Sequence, residues 1–398
     1  MTKLISLGDP QHASDATRGA ALWQLGFRPF YLLASSFAAL SILGWAAQMA
    51  GWLGHAYLKG PLWHAHEMLF GFALAVVVGF LLTAGRNWSN RPTAQGPALA
   101  ALVLLWLTAR VLVLTPWGWA AAAANVAFPL AAALALAIPF WAARIRRNYF
   151  FVGLLVLMAI ANLGFHLSQL GVLAAPAWLG LGLALDVLLF IIVVMAGRVI
   201  PMFTNHGVPG AGATRHAGVE KAALGLVLAL LLGNVLSLPA PLLAALAGVA
   251  ALAHAVRWAL WRPWRTLRVP LVWVLHLAYA WIVLHLALRA GAHLGAVPSA
   301  AAIHALSAGA IGMLTIGMMT RTARGHLAMP LRSDAVDVLC YLLVLAGAVA
   351  RVATPLLPPA VWFGALMLSA LCWSAGFALY ALAYGPRLCR PRLDGKPG

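Results

Sequence analysis

The sequence contains little charge for its length. Only 9% of its 398 residues are charged and only eight are acidic, whereas 64% are apolar. A soluble fold covers its surface with charged side chains, but a bilayer solvates apolar side chains directly and penalises a charge at a helix centre by roughly 2.5 to 3.5 kcal/mol. The scarcity of charge therefore excludes a soluble domain and makes lipid the expected solvent of this chain.

Cysteine is also scarce. The three cysteines, Cys340, Cys372 and Cys389, lie far apart in the chain, and none belongs to a CxxC pair. This spacing excludes a disulfide framework and a thiolate metal site. Because no CxxC pair is present, the chain also has no CxxCH motif, and a covalently attached c-type haem is excluded as well.

The chain does have a long series of apolar windows of about 20 residues, the length that spans a bilayer core. Turn signals such as Gly60-Pro61 and Pro239–Pro241 separate them. We therefore predict an all-α, polytopic transmembrane bundle of about twelve helices, forming a single domain over residues 30–384 with tails at 1–29 and 385–398. The predicted spans lie near 30–50, 64–84, 97–115, 119–142, 149–173, 177–200, 221–238, 241–260, 269–291, 299–320, 335–354 and 359–384.

The positive charges follow a topological pattern. All but four of the 26 lysines and arginines lie in the two tails or in the loops after even-numbered helices, although the net charge of +18 alone might suggest nucleic acid. This alternation follows the positive-inside rule. It predicts a multi-pass inner-membrane protein with both termini cytoplasmic, and no nucleic-acid partner. The four exceptions are Lys59, Arg110, Arg289 and Arg351.

Histidines stand out among the polar residues that a membrane should exclude. With 1.5 Å of rise per residue, five of them are predicted to share a layer near the outer face. These are His64, His66, His166, His285 and His304. Imidazole is a common ligand for haem iron and copper, and histidines on separate helices can converge in a bundle core. The alternative is that each histidine makes only a hydrogen bond to a neighbouring helix.

The run WHAHEM at Trp63–Met68 is the sharpest local feature. In a regular helix His64 and Glu67 share a face, whereas His66 points roughly 200° away from His64. Glu67 is a candidate metal ligand, proton relay or histidine orienter, and hence the candidate catalytic residue. Its alternative role is to stabilise the helix start through the helix dipole. The candidate metal ligands are His64, His66, Glu67 and His304.

Asp186 is the only carboxylate well inside a predicted helix. An isolated ionised carboxylate is costly there, so we expect Asp186 to be protonated or paired, with a proton-handling or propionate-binding role as one option. Small residues at Gly71, Ala75 and Gly79 form one helix face, as do Ala308, Gly309 and Gly312. Such faces indicate close helix packing or room for a macrocycle.

Four long segments together resemble one known family. They are GFRPFYLLAS at Gly26–Ser35, WHAHEMLFGFALAVVVGFLLTAGRNW at Trp63–Trp88, GRVIPMFTNHG at Gly197–Gly207 and HALSAGAIGMLTIGMMTRTARGH at His304–His326. In this order they look like the NnrS family, and the likeness extends over almost the whole chain. The resemblance implies a bacterial membrane protein that carries haem and copper, takes part in nitric oxide metabolism and protects against nitrosative stress.

The resemblance also implies particular site residues. The positions that match the family pattern are His64, His66, Glu67, His166, Arg198, His276, His304, Arg321 and His326. Of these, we assign His66, His166, His276, His304, Arg198 and Arg321 to the haem. His285, His326 and Asp186 are further candidates, and His285 belongs to the pattern less clearly.

These two lines of reasoning lead to one functional hypothesis. A b-type haem held by histidine, with a second metal or an open site nearby, would bind nitric oxide arriving through lipid. Reduction of nitric oxide would make the protein an oxidoreductase and would require electrons from a quinol or another donor. The alternatives are a b-type cytochrome that only relays electrons and a small-molecule or metal transporter. A transporter commonly shows two related halves, and no clear internal repeat is present.

Overall fold

The computed structural model describes residues 21–52 and 57–395, and every regular element in these ranges is a helix. Lys3, Arg18 and Lys396 of the predicted tails lie outside the described residues. The helices are α1 Phe27–Met49, α2 Gly60–Ser89, α3 Pro97–Leu112, α4 Gly118–Ala142, α5 Tyr149–Gln169, α6 Trp178–Gly207, α7 Ala217–Val235, α8 Ala240–Leu260, α9 Pro270–His293, α10 Ser299–His326, α11 Ala335–Ala353 and α12 Trp362–Leu388.

The helices have the length and composition of membrane spans. Eleven of those described are long and apolar enough to cross a bilayer, and α3 is a shorter apolar helix of 16 residues. Large apolar side chains cover the outside of the bundle, among them Leu252 and Leu382. A surface of this kind is stable only in an apolar solvent. The predicted polytopic helical membrane protein is confirmed.

The helices form one bundle that the last helix closes. Neighbours in sequence pack together through short loops and run antiparallel, and α12 packs against both α11 and α1. Trp373 Nε1 and the Ser374 hydroxyl of α12 donate hydrogen bonds to the carbonyls of Ala38 and Ala39 in α1. We call the end where α2, α6 and α10 begin the histidine end, because His64 and His304 lie there. The opposite end, with Arg147 and Arg268, is the arginine end.

Two helices are interrupted by a π-helical segment directly after a histidine. In α2 the segment Glu67–Ala73 follows His66, and in α10 the segment Ala305–Ile311 follows His304. A π segment inserts a residue into the helical repeat, rotates the side chains that follow, and often marks a functional site. Both interruptions lie near the histidine end of the bundle.

The small-residue faces serve close packing. A Cβ added at Gly79 would lie 2.8 Å from Phe30 Cβ, and one at Gly71 would lie 2.7 Å from the Phe37 ring. In α10 a Cβ added at Gly309 would lie 2.5 Å from the Trp281 side chain, and one added at Gly312 would lie 2.5 Å from the Trp373 side chain. These glycines therefore admit neighbouring side chains.

Candidate functional site

The five histidines of the predicted outer layer divide between two places. His64, His285 and His304 line a large cavity at the histidine end. His66 and His166 lie in a separate buried polar network on the other side of α2. The shared depth predicted from the sequence does not bring them to one centre, because depth along a helix does not determine the direction in which a side chain points.

The cavity has a volume of about 1160 Å³ and is lined mainly by apolar side chains of α1, α2, α5, α6, α7, α9, α10 and α12. Its walls include Trp45, Met68, Phe72 and Trp373. A mostly apolar cavity with a few polar groups is the usual form of a cofactor or small-molecule site. The dimensions suit a ligand of macrocycle size.

Two cavity histidines are held in a ligand-like state. His285 Nδ1 donates to the Ala302 carbonyl at 2.8 Å, and His304 Nδ1 donates to the Ala300 carbonyl at 2.6 Å. Because a carbonyl oxygen only accepts, each neutral ring carries its proton on Nδ1 and has its lone pair on Nε2. His285 Nε2 is buried and has no hydrogen-bond partner among the described residues. Histidines that ligate metals are commonly oriented in this way.

His64 belongs to the same cavity. Its ring stacks on Trp45 with 4.4 Å between centroids, and its Nδ1 is buried without a partner. The Arg351 guanidinium lies 5.8 Å from the Trp45 ring and contacts no carboxylate in the described part of the chain. Arg351 therefore gives this side of the cavity an uncompensated positive charge.

An ion pair lies on another part of the cavity wall. Arg289 donates to both carboxylate oxygens of Asp186, at 2.6 and 3.1 Å, and Asn234 Nδ2 donates to Asp186 Oδ2 at 2.6 Å. The expected pairing of Asp186 is confirmed. His293 Nε2, which is buried without a partner, lies on the same cavity wall.

The buried network behind α2 is built around Glu67, and we call residues His66, Glu67, Arg110, Asn125 and Asn162 the Glu67 network. His66 Nδ1 lies 2.8 Å from Glu67 Oε1, and Arg110 donates to the same oxygen. Arg110 also donates to Asn125 Oδ1. Gly71 leaves room for the guanidinium, since a Cβ there would lie 2.8 Å from Arg110 Nη1.

The prediction that His64 and Glu67 share a face toward one centre is wrong. Glu67 pairs with His66 and Arg110, while His64 points into the cavity. The π-helical segment that begins at Glu67 changes the helical phase at this position, and the rule for a regular helix fails there.

Hydrogen-bond directions determine the proton count of the network. Asn162 Nδ2 donates to the Asn125 carbonyl at 3.0 Å. Asn162 Oδ1 therefore faces His66 Nε2 at 3.1 Å and accepts a hydrogen bond from the Nε2–H group. One further proton must then lie between His66 Nδ1 and Glu67. The pair is either imidazolium with carboxylate or imidazole with carboxylic acid, and both ring nitrogens of His66 are occupied.

His166 neighbours this network. Its ring packs edge-on to His66 at 5.0 Å, and its Nδ1 lies 3.0 Å from the Tyr57 hydroxyl. Burial raises the pKa of Tyr57 to about 12, so that hydroxyl keeps its proton at neutral pH. His166 Nε2 is buried and has no partner.

The remaining predicted residues lie away from the cavity. His276 Nε2 contacts the Thr204 hydroxyl at 2.8 Å, and the His326 ring packs against Phe27 at 5.4 Å. Arg321 lies 17 residues beyond His304 on α10, about 25 Å along the axis. Arg198 is also at the arginine end, where it donates to Asn148 Oδ1 at 3.0 Å. The structure does not bring Arg198, Arg321 and His304 to one site.

No group of three or more His, Cys, Asp or Glu side chains in the described ranges converges on a point where a single metal ion would bind. In particular, His64 and His304 line the cavity, while both nitrogens of His66 are used by Glu67 and Asn162. The four predicted metal ligands therefore do not form one centre in this structure.

Sequence reasoning missed the arginines of both sites. Arg110 belongs to the Glu67 network, and Arg289 and Arg351 line the cavity. A usable signal was present, since these are three of the four cations that break the charge alternation. A charge kept on the unfavoured side of a membrane protein commonly has a functional partner.

The fold and the two sites define a class: a polytopic helical membrane protein with a large histidine-lined cavity and an adjacent buried ionic network. The family described as NnrS protein matches residues 21–392, nearly the whole chain, and the protein belongs to the NnrS family. Membership places it among membrane proteins of the nitric oxide response. Among curated proteins, none matches the chain.

Proposed function

We propose that the cavity holds haem b and that nitric oxide binds there, so that the protein protects a bacterial inner membrane against nitrosative stress. The observation that carries this proposal is the state of His285 and His304. In both rings Nδ1 donates a hydrogen bond to a backbone carbonyl, which leaves the lone pair on Nε2. His285 Nε2 is also buried without a partner in the described ranges. A neutral imidazole in this state is the usual axial ligand of haem iron.

The arrangement of the cavity fits a macrocycle better than a bare ion. Its histidines are distributed around an apolar wall and do not converge on one point. A planar cofactor would contact the aromatic walls, including Trp45 and Trp373, and would take one or two of these imidazoles. Arg351 would offer a positive charge to a propionate, since no described carboxylate neutralises it.

The protein's own residues set the conditions for binding the gas. When bound, the haem supplies an iron with an open or exchangeable position for a diatomic ligand. Apolar side chains such as Met68, Phe72 and Leu183 limit water in the cavity and provide a route for an uncharged gas that dissolves in lipid. The Nδ1 hydrogen bonds hold both imidazoles in the ligating tautomer.

We further propose that the protein reduces nitric oxide, because the Glu67 network offers a proton donor beside the cavity. Two molecules of nitric oxide, two electrons and two protons give nitrous oxide and water. Glu67 and His66 hold one proton between them, and the adjoining residues of α2, Ala65 and Met68, line the cavity. A quinol or a partner protein would supply the electrons. With His285 as the haem ligand, copper would bind His64 and His304, both of which line the cavity.

The haem assignment is tested by purifying the protein and measuring haem content with the pyridine haemochrome assay. We expect His285→Ala and His304→Ala to lose haem or to shift its spectrum, because each removes a prearranged imidazole. His216→Ala, at an exposed position outside the cavity, is the matched control and should keep full haem. Wild-type haem content and spectrum in both cavity variants would refute the assignment. Metal analysis of the same samples tests for copper.

A further inference from the structure

A second, much smaller feature adjoins the cavity between α2, α6 and α10, and Ile311 lines both. It is an apolar groove of about 70 Å³ whose lining includes Met195 and Val199 of α6 and Leu314 and Met318 of α10, with Phe80 of α2 opposite. We call it the α6–α10 groove. Its lining contains no charged residue, so it suits a few methylene groups of a hydrocarbon chain.

An arginine lies where the groove continues toward the arginine end. Arg321 follows Leu314 and Met318 at i+7 and i+3, and therefore lies on the same face of α10. Its guanidinium lies 3.8 Å from the centroid of the Phe203 ring, and Phe203 follows Val199 of the groove by one turn of α6. The Arg321 side chain therefore lies where the groove extends toward the arginine end.

Arg321 has no counter-charge within the described residues. It is only 9% exposed, yet it makes no ion pair there, and its guanidinium stacks on the face of Phe203. A nearly buried guanidinium that only stacks on an aromatic ring retains most of its hydrogen-bonding capacity. This unpartnered cation is the second, independent sign of a ligand, and it specifies an anion.

Another cation lies at the same end of the bundle. Arg198 of α6 packs among the rings of Trp88, Phe150 and Phe151, within 5.8 Å of each, and has no carboxylate partner in the described part of the chain. Arg198 therefore adds positive charge to the arginine end, which favours an anion there.

A phospholipid with a net negative charge has the required combination of parts. A few methylene groups of its acyl chain fit the apolar groove, and its phosphate matches the Arg321 guanidinium at the depth where a transmembrane groove meets the headgroup layer. A propionate of a haem held in the cavity does not reach Arg321, because Arg321 lies about 25 Å along α10 from His304.

We propose that the α6–α10 groove binds an anionic phospholipid, with methylene groups of an acyl chain against Met195, Val199 and Met318 and the phosphate on Arg321. The proposal assigns to Arg321 a ligand other than a haem held by the cavity histidines.

The test is lipid retention measured by native mass spectrometry on the full-length protein in micelles after equilibration with phosphatidylglycerol or phosphatidylcholine. The wild type should retain phosphatidylglycerol preferentially. Arg321→Gln should reduce that preference about fivefold, the effect expected for one basic residue near an anionic headgroup. Arg321→Lys should keep part of it. The matched control is Arg332→Gln, which removes an exposed arginine from the same end of the bundle and should behave as wild type.

A second variant keeps the test informative if Arg321→Gln folds poorly. Met318→Trp would fill the groove without changing the charge and should also lower retention of phosphatidylglycerol. Equal retention of the two lipids by the wild type, or wild-type preference in both Arg321→Gln and Met318→Trp, would overturn the proposal. Preferential retention of a quinone in place of phosphatidylglycerol would also overturn it.

Discussion

The ion pair between Glu67 and Arg110 offers a quantitative test of the structure. Both side chains are almost fully buried, at 1% and 7% exposure, and Arg110 also holds Asn125. In Glu67→Gln the guanidinium loses its only carboxylate in the network, and the proton shared with His66 loses its charged acceptor. The variant therefore leaves the buried Arg110 guanidinium without a carboxylate partner in the network.

Breaking a buried pair by removing one partner typically costs about 3–5 kcal/mol, because the remaining charge has no counter-ion. Removing both partners costs less, since no unpaired charge is left. We therefore expect Glu67→Gln and Arg110→Gln each to lower the free energy of unfolding by about 3–5 kcal/mol. The double variant should lose clearly less than the sum of the two, with a coupling energy of about 0.5–3 kcal/mol.

The measurement is reversible unfolding in mixed micelles for the wild type, both single variants and the double variant. Asp394→Asn, which breaks the solvent-exposed pair of Asp394 with Arg392, is the control and should change stability by less than about 1 kcal/mol. Additive effects of the two network variants, or single variants as stable as the control, would refute the buried ion pair.

The same Glu67→Gln variant tests the proposed reduction of nitric oxide. If Glu67 holds a transferable proton, haem content and nitric oxide binding should persist while the rate of nitric oxide consumption falls, because an amide cannot cycle a proton. Unchanged consumption in a folded, haem-loaded variant would remove Glu67 from the reaction and leave it a structural role.

Two further predictions concern packing and topology. Gly197→Ala should strongly destabilise the protein, because its Cβ would lie 1.8 Å from Arg257 Nη2. Gly225→Ala is the control: its Cβ meets no atom within 4 Å, so the variant should be neutral or slightly stabilising. Thermal unfolding of the two variants would separate them, and equal melting temperatures would contradict the packing. A reporter fused after Arg147 should report a cytoplasmic position and one near Gly295 the opposite side, and reversed signals would invalidate the predicted orientation.

Most of the fold could be predicted from the sequence, because bilayer thickness sets helix length and turn residues mark the breaks. The predicted span 119–142 corresponds to Gly118–Ala142, and the predicted span 269–291 to Pro270–His293. The largest shortfall is at α6, predicted to end at 200 and observed to end at Gly207. Polar residues such as Asn205 lower the local hydropathy there, while the backbone continues as a helix.

The candidate site was only partly predictable. Composition and depth identified His64, His285 and His304 as members of one layer, and all three line the cavity. Residue spacing also placed His66 about 200° from His64, as observed, but it did not predict that Glu67 would join His66, because spacing does not reveal the π-helical segment that begins at Glu67. The buried amides Asn125 and Asn162, which orient the Glu67 network, carry no sequence signal of their own.

The most direct test of the proposed function is the optical spectrum of the reduced, purified protein before and after addition of nitric oxide. We predict a Soret band that shifts when nitric oxide is added, with both the band and the shift lost or altered in His285→Ala and His304→Ala. A protein without a Soret band after expression with ample haem, or with a band that does not respond to nitric oxide, would contradict the account.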